Sequence, residues 1–145
     1  LLAVAEEARY QSAPDDASLR VLALLDARMD EVYVAHYEFN SGRWKQHEGY
    51  NLIRPENLVL PAGWQGADWL LAGNAFASYG ERLPFAAPVR RIQALPTATA
   101  MLRLAPTLLA SGHAVRADEA LPTYIRDKVA QTTQERADQK AAQQA

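Results

Sequence analysis

The chain has 145 residues, and its 15 lysines and arginines against 17 aspartates and glutamates leave a formal net charge of −2. This balance gives no reason to expect a polyanionic partner, and the absence of cysteine excludes a disulfide scaffold and a thiolate metal site. With 49% hydrophobic residues and no apolar run near the roughly 20 residues of a membrane helix, the composition predicts a cytoplasmic globular domain.

The chain begins with an amphipathic stretch that predicts a helix. Its apolar side carries Leu1, Leu2, Val4 and Ala5, with charged residues on the other side. Because a native chain starts with Met, we expect the chain to be a fragment, and we assign 1–19 to a helix and linker left from a preceding N-terminal domain. The apolar strip then lacks a covering element and is predicted to be an exposed association surface.

The next stretch predicts a β-hairpin. Val21–Leu25 is a continuous apolar run, typical of a strand buried on both faces, and Glu31–Phe39 alternates as a half-buried strand does. Two such runs pair most simply as an antiparallel hairpin around Arg28–Asp30. Asp26 then lies at the exit of the buried strand, where its side chain can face a crevice and pair with Arg28.

The remaining elements follow from turn and cap residues. Further predicted elements are a third strand at Arg43–Ile53 with Trp44 and Tyr50 packed inward, a short helix within Arg54–Leu60, a strand at Asp68–Asn74 closed by Gly73 and Asn74, a helix at Ala75–Arg82 and an edge segment within Leu83–Leu95. Thr97 predicts the start of a helix from Ala98 to about Ser111, and Gly112 its end. Met101, Ala105 and Leu108 are expected to line one face of this helix.

Three groups of residues are candidate chemical sites. The acidic group of Asp26, Asp30 and Glu31 either binds a divalent cation or acts as a general base, or its carboxylates only form local hydrogen bonds in a turn. Ala72–Ala75 suits either a phosphate cradle at a strand-to-helix turn or a plain turn. Four arginines form a local basic cluster that either contacts RNA phosphate or is a solvated face: Arg82, Arg90, Arg91 and Arg103. The three histidines lack the spacing of a zinc site.

Two sequence motifs resemble one family. DARMDEVY, Asp26 to Tyr33, resembles the DARMGEVY signature of the TsaB (YeaZ) family, and LPTYIRDKVA, Leu121 to Ala130, resembles its closing motif. Asp30 stands where the family has glycine, and aspartate tolerates left-handed backbone better than most residues. We expect the Tyr124 ring to anchor its segment and the Arg126 guanidinium to bind Asp26 or Glu31. The candidate family-motif residues, structural or at an interface, are Asp26, Arg28, Glu31, Tyr33, Gly73, Asn74, Tyr124 and Arg126.

The resemblance implies a fold and a function. The fold is α/β, the RNase H-like half of an actin-like two-domain fold, with a mixed sheet flanked by helices at 20–130. The composition of 131–145, rich in glutamine, alanine and charged residues, predicts a flexible tail. The function is that of a non-catalytic scaffold or dimerisation subunit in bacterial synthesis of threonylcarbamoyladenosine on tRNA. Its implied partners are a TsaD-like catalytic subunit and a TsaE-like ATPase, with tRNA contacted through the complex, a homodimer as a further arrangement and no membrane.

The resemblance also limits the chemistry. It implies no catalytic, cofactor-binding or metal-binding residue in this chain, ATP or ADP only at an intersubunit interface of the full complex, and the main partner contact in the N-terminal domain. One alternative is an enzyme of the actin-like superfamily, a small-molecule kinase or hydrolase. Another is an RNA-binding module that acts through the arginine cluster.

Overall fold

Five strands form one mixed sheet in the computed structural model, which describes residues 1–12, 14–65, 68–85 and 89–126. The strands are β1 (Ser18–Arg28), β2 (Glu31–Asn40), β3 (Arg43–Ile53), β4 (Leu70–Gly73) and β5 (Arg90–Gln93), in the spatial order β3-β2-β1-β4-β5. The first three are antiparallel neighbours, whereas β4 runs parallel to β1 and β5 parallel to β4. The predicted hairpin, third strand and edge strand are confirmed, and so is the mixed sheet flanked by helices.

Three α-helices accompany the sheet in the described part of the chain: α1 (Leu2–Ser12), α2 (Phe76–Tyr79) and α3 (Ala98–Ala110). The start of α3 is as predicted, because the Thr97 side chain accepts a hydrogen bond from the Ala100 amide at 3.1 Å. The helix predicted within 54–60 is only a 3₁₀ turn, Pro55–Asn57, and the helix predicted at 75–82 is only the four residues of α2. None of the helices in the described ranges is long and apolar enough to cross a membrane.

The central strands of the sheet, β1 and β4, are buried on both faces. Val21 and Ala23 of β1 belong to a core that α1 covers, whereas Leu22 and Leu24 belong to a second core covered by α2 and the loop around Leu58. A strand with helices or loops on both sides needs apolar residues at every position. The continuous apolar run of β1 therefore reflects its central place in the sheet.

The expectation of an exposed strip on the first helix is wrong. Val4, Ala5 and Ala8 are completely buried in one core with β1, β2 and β4, and Leu1 and Leu2 pack partly against it. The apolar side of α1 is covered by the sheet, whose strands follow α1 in the chain. The prediction considered only an element that precedes the helix. The predicted tail at 131–145 lies outside the described residues.

One prediction of an inward-facing side chain is also wrong. Tyr50 is exposed on β3, although Trp44 packs against the core as expected. On α3 the buried residues are Ala100 and Leu104, and Met101 is 62% exposed. On the same helix, Arg103 forms ion pairs with Glu6 and Glu7 of α1 at 3.1 Å and 2.6 Å.

Candidate functional site

The family-motif residues meet at the edge of the sheet where β1 and β4 end. These strands run in parallel, with Leu24 opposite Gly73, so Asp26 and Asn74 emerge side by side. The hairpin between β1 and β2 and the start of α2 complete this edge. The carboxyl ends of neighbouring parallel strands are a common place for a site in α/β proteins, which makes the contacts of Asp26 decisive.

Both carboxylate oxygens of Asp26 are engaged. Oδ1 accepts hydrogen bonds from the Arg28 amide at 2.8 Å and from the Tyr79 hydroxyl at 3.2 Å, while Oδ2 lies 3.3 Å from the Arg28 guanidinium and 3.5 Å from the Ser78 hydroxyl. Burial, and then the hydrogen bond to Asp26, raise the pKa of Tyr79, so its hydroxyl remains a donor at neutral pH. The predicted Asp26–Arg28 pair is confirmed, and Asp26 acts as the acceptor that joins β1, the hairpin turn and α2.

Gly73 and Asn74 lock β4 against β1. The Asn74 side-chain oxygen accepts a hydrogen bond from the Asp26 amide at 2.9 Å, and the Asn74 amide donates to the Leu24 carbonyl at 3.3 Å. Gly73 has φ +139°, and a Cβ there would lie 1.7 Å from the Leu24 carbonyl oxygen. Only glycine fits at such a position. The geometry favours the plain turn over the phosphate cradle, because the Asn74 amide is already used.

The hairpin turn is built from three successive residues in left-handed conformation. Arg28, Met29 and Asp30 have φ values of 65°, 55° and 60°. Asp30 therefore adopts the conformation expected of it where the family has glycine, and its carboxylate binds the Arg82 guanidinium at 2.7 Å. Glu31 binds a different arginine, so the acidic side chains of this turn point to separate cations. Within the described ranges no three His, Asp or Glu side chains are grouped so that they could hold a metal ion.

Arg126 brings the two motifs together. One terminal nitrogen, Nη2, lies 2.9 Å from a Glu31 carboxylate oxygen, and it donates to the carbonyls of Ala27 at 2.8 Å and Arg28 at 3.3 Å. The other, Nη1, lies 3.0 Å from the Met29 sulfur. Of the two predicted partners, the guanidinium binds Glu31. It thereby satisfies two carbonyls of the left-handed turn, which favours a structural role.

Comparison with known proteins supports the resemblance. The chain is 31% identical over 118 residues to the tRNA threonylcarbamoyladenosine biosynthesis protein TsaB of Escherichia coli, an alignment that spans 79% of this chain and 51% of that protein. Two solved structures from Pseudomonas aeruginosa are similar to it. One, described as similar to peptidase YeaZ, has 34% identity and a TM-score of 0.75 over 87% of this chain and 56% of that one. The other, YeaZ itself, has 35% identity and a TM-score of 0.72 over 86% and 55%.

The chain belongs to the TsaB (YeaZ) family. No family model matches it, and it spans about half the length of the relatives it matches. The structural likeness confirms the predicted fold class, the RNase H-like half of an actin-like fold. The motif that identified the TsaB family in sequence is thus the segment that connects the first two strands of that sheet.

The two tyrosines of the TsaB motifs have different surroundings. Tyr33 is half-buried on β2 and lines a hollow of about 470 Å³ together with Leu25 and Ile125. Tyr124 is 86% exposed, so the prediction that its ring anchors the segment is wrong. Arg126 provides the anchor instead, because its guanidinium reaches the hairpin turn through several hydrogen bonds at once.

The predicted arginine cluster does not exist as one surface. Arg82 binds Asp30 and Glu56 on the face of the sheet that carries α2, whereas Arg103 binds the acidic residues of α1 on the opposite face. Arg90 donates to the Ser12 carbonyl at 2.6 Å. The expectation was wrong because neighbours in sequence lie on elements that cover different faces. The RNA-binding alternative therefore loses the basic patch on which it depended.

Sequence reasoning missed a buried ionic network at Glu6. This residue is only 3% exposed, and its carboxylate accepts hydrogen bonds from Arg9, Arg103 and the Trp44 indole at 3.0 to 3.1 Å. Burial alone would raise the pKa of Glu6, but the hydrogen bonds from Arg9 and Trp44 and the charge of Arg9 outweigh it and hold the pKa below its usual range. The i, i+3 spacing of Glu6 and Arg9 was the one signal in the sequence. The network joins α1, α3 and β3 beside a groove of about 980 Å³.

Proposed function

We propose that this chain serves bacterial threonylcarbamoyladenosine synthesis on tRNA as a non-catalytic scaffold subunit in the cytoplasm. Its partners would be a TsaD-like catalytic subunit and a TsaE-like ATPase, with tRNA contacted through the complex and ATP or ADP bound at an intersubunit interface. Two findings support this proposal: the chain belongs to the TsaB family, and it is similar to the E. coli protein that is named for threonylcarbamoyladenosine biosynthesis. The proposal extends to the whole assembly, and this chain spans about half the length of the relatives it matches.

The observation that carries the non-catalytic role is the saturation of Asp26. A general base or a metal ligand needs a carboxylate oxygen directed at substrate or ion. Asp26 stands at the edge best suited to a site, but its two oxygens receive donors from the turn and from α2. The same edge is closed by Asn74, whose side chain is bound to the Asp26 amide. These contacts support an edge that serves architecture.

The neighbouring charges support the same conclusion. Glu31 is bound by Arg126, which also holds the carbonyls of the hairpin turn, and Asp30 is bound by Arg82. Each charged group of the motif therefore has an intramolecular counterpart. A rigid, internally paired hairpin suits a subunit that presents a fixed shape to its partners.

The partnership can be tested by titrating a TsaD-like catalytic subunit with this chain and, in parallel, with a full-length TsaB. We expect saturable binding of this chain that is weaker than that of the full-length protein, because the family resemblance places the main contact in the N-terminal domain. No saturation at the highest concentration at which the chain stays folded and monomeric would contradict the scaffold role. Equal affinities would place the partner surface within these 145 residues.

A further inference from the structure

Two histidines clamp a tryptophan of the loop at 58–65. His36 of β2 and His47 of β3 lie directly opposite each other in the sheet. Trp64, which is 3% exposed, meets both rings edge-on, with centroid distances of 5.8 Å to His36 and 5.9 Å to His47. The loop therefore covers this part of the sheet through contacts with two titratable rings.

Hydrogen bonds define the state of each ring. His36 Nε2 donates to the Val59 carbonyl at 3.1 Å, and His47 Nε2 donates to a Glu38 carboxylate oxygen at 3.0 Å. His36 Nδ1 is buried and has no hydrogen-bond partner among the described residues. In the neutral ring this nitrogen is only an acceptor, but a proton there would be a buried donor without an acceptor.

The charges around His36 do not offset that cost. Glu38 lies on the same strand but is bound to His47 and lies 3.5 Å from Arg20 of β1. The charge of Glu48 on β3 favours protonation of His36, whereas the charge of His47 disfavours it. The loop contributes only the Val59 carbonyl, which already accepts a hydrogen bond from His36 Nε2. Burial is the largest influence, and it lowers the pKa of His36 in the folded chain.

We propose that His36 and Trp64 form a pH-sensitive latch, in which protonation of His36 releases the 58–65 loop from the sheet. In the open form the ring is hydrated and takes up a proton near its ordinary pKa of about 6.5. The closed form resists that proton, so the open form binds more protons in mildly acidic solution. By linkage, the open fraction increases up to about tenfold per pH unit below about 6.5, until the closed form also protonates. Opening would expose Trp64 and Leu58, which are both buried in the closed form.

The test is an NMR titration of the ¹⁵N-labelled chain from pH 7.5 to 5, following the Trp64 indole and the His36 ring. We expect the Trp64 signal to shift with the same midpoint as the His36 ring, below 6.5, while the amide signals of β1 and β2 stay in place. His36→Gln keeps a donor for the Val59 carbonyl but cannot titrate. The variant is made in a His47→Gln background, because the His47 ring also contacts Trp64, and its Trp64 signal should then not depend on pH, whereas His47→Gln alone should keep the shift. His113→Gln, at an exposed histidine, is the matched control and should behave as the unmodified chain.

Four results would overturn the latch. These are a Trp64 signal that does not shift in the unmodified chain, a Trp64 midpoint that differs from that of the His36 ring, a shift that persists when both His36 and His47 are replaced by glutamine, and loss of the strand signals at the same midpoint, which would indicate global unfolding. If His36→Gln does not fold, the comparison of the two midpoints in the unmodified chain still decides, because unequal midpoints separate Trp64 from His36.

Discussion

Gly73→Ala should be among the most destabilising single substitutions in this chain. The residue has φ +139°, a region that is essentially reserved for glycine and costs other residues about 1–3 kcal/mol. Its Cβ would lie 1.7 Å from the Leu24 carbonyl oxygen and 2.7 Å from the Leu24 carbonyl carbon, both backbone atoms of the neighbouring strand. Since neither atom can rotate away, β4 must separate from β1 at this point.

Separation breaks the hydrogen bonds that join the two strand ends. These are the Asn74 amide to the Leu24 carbonyl and the Asp26 amide to the Asn74 side chain, each worth about 1 kcal/mol. Together with the backbone cost, the expected loss is about 4 kcal/mol of the free energy of unfolding. At about 4 °C per kcal/mol for a domain of this size, Tm should fall by about 15 °C.

Gly42→Ala is the matched control. Gly42 lies in the turn between β2 and β3 with φ +84°, and nothing lies within 4 Å of a Cβ placed there. It isolates the cost of positive φ without the clash, which should be about 1 kcal/mol or about 4 °C. Thermal unfolding followed by circular dichroism measures both variants. Equal losses for Gly73→Ala and Gly42→Ala would refute the argument that the Leu24 carbonyl requires a glycine.

Three further predictions concern the paired charges. Arg28→Ala should change the free energy of unfolding by less than about 1 kcal/mol, because the Arg28 side chain is 86% exposed. Asp26→Ala should lower it by about 1–3 kcal/mol, because the donors to Asp26 are left unpaired. Urea unfolding compares the two variants, and equal losses would contradict the architectural role of Asp26. Glu6→Gln should lower the free energy of unfolding by about 3 kcal/mol. Because the pKa of Glu6 is lowered in the folded chain, its stabilisation is present above pH 4.5 and is lost as pH falls through the folded pKa. Glu6→Gln should therefore lose part of the pH dependence of the urea midpoint in acid, whereas the control Glu81→Gln, at an exposed site, should retain it. Arg126→Ala should cost about 1–3 kcal/mol and speed amide exchange in the hairpin turn, since it leaves the Glu31 carboxylate and the Ala27 and Arg28 carbonyls without their donor. Unchanged exchange would show that Arg126 does not hold the turn.

Much of the sheet could be predicted because local patterns and tertiary contacts agree there. The apolar run from Val21 and the alternation from Glu31 specify two strands, and the polar residues between them specify the turn. Thr97 identified the start of α3 because an N-cap bond closes within a few residues. Where a single local interaction determines the structure, the sequence alone was sufficient.

The failures share a cause in contacts between distant residues. Glu6 looked like a solvent-facing residue because its partners Trp44 and Arg103 follow 38 and 97 residues later. Gly73 was assigned to a turn, but the need for glycine comes from Leu24 on another strand.

The most direct test of the non-catalytic role is an assay of the pure chain for ATP hydrolysis and for threonylcarbamoyl transfer, with divalent metal ions supplied. Asp26→Ala is assayed beside the unmodified chain, and Asp16→Ala, at an exposed residue of the connector before β1, serves as the control. We predict no turnover above the blank for any of the three proteins, because the carboxylate oxygens of Asp26 are bound within the chain. Turnover by the unmodified chain that Asp16→Ala retains and Asp26→Ala abolishes would contradict the account and favour an enzyme of the actin-like superfamily.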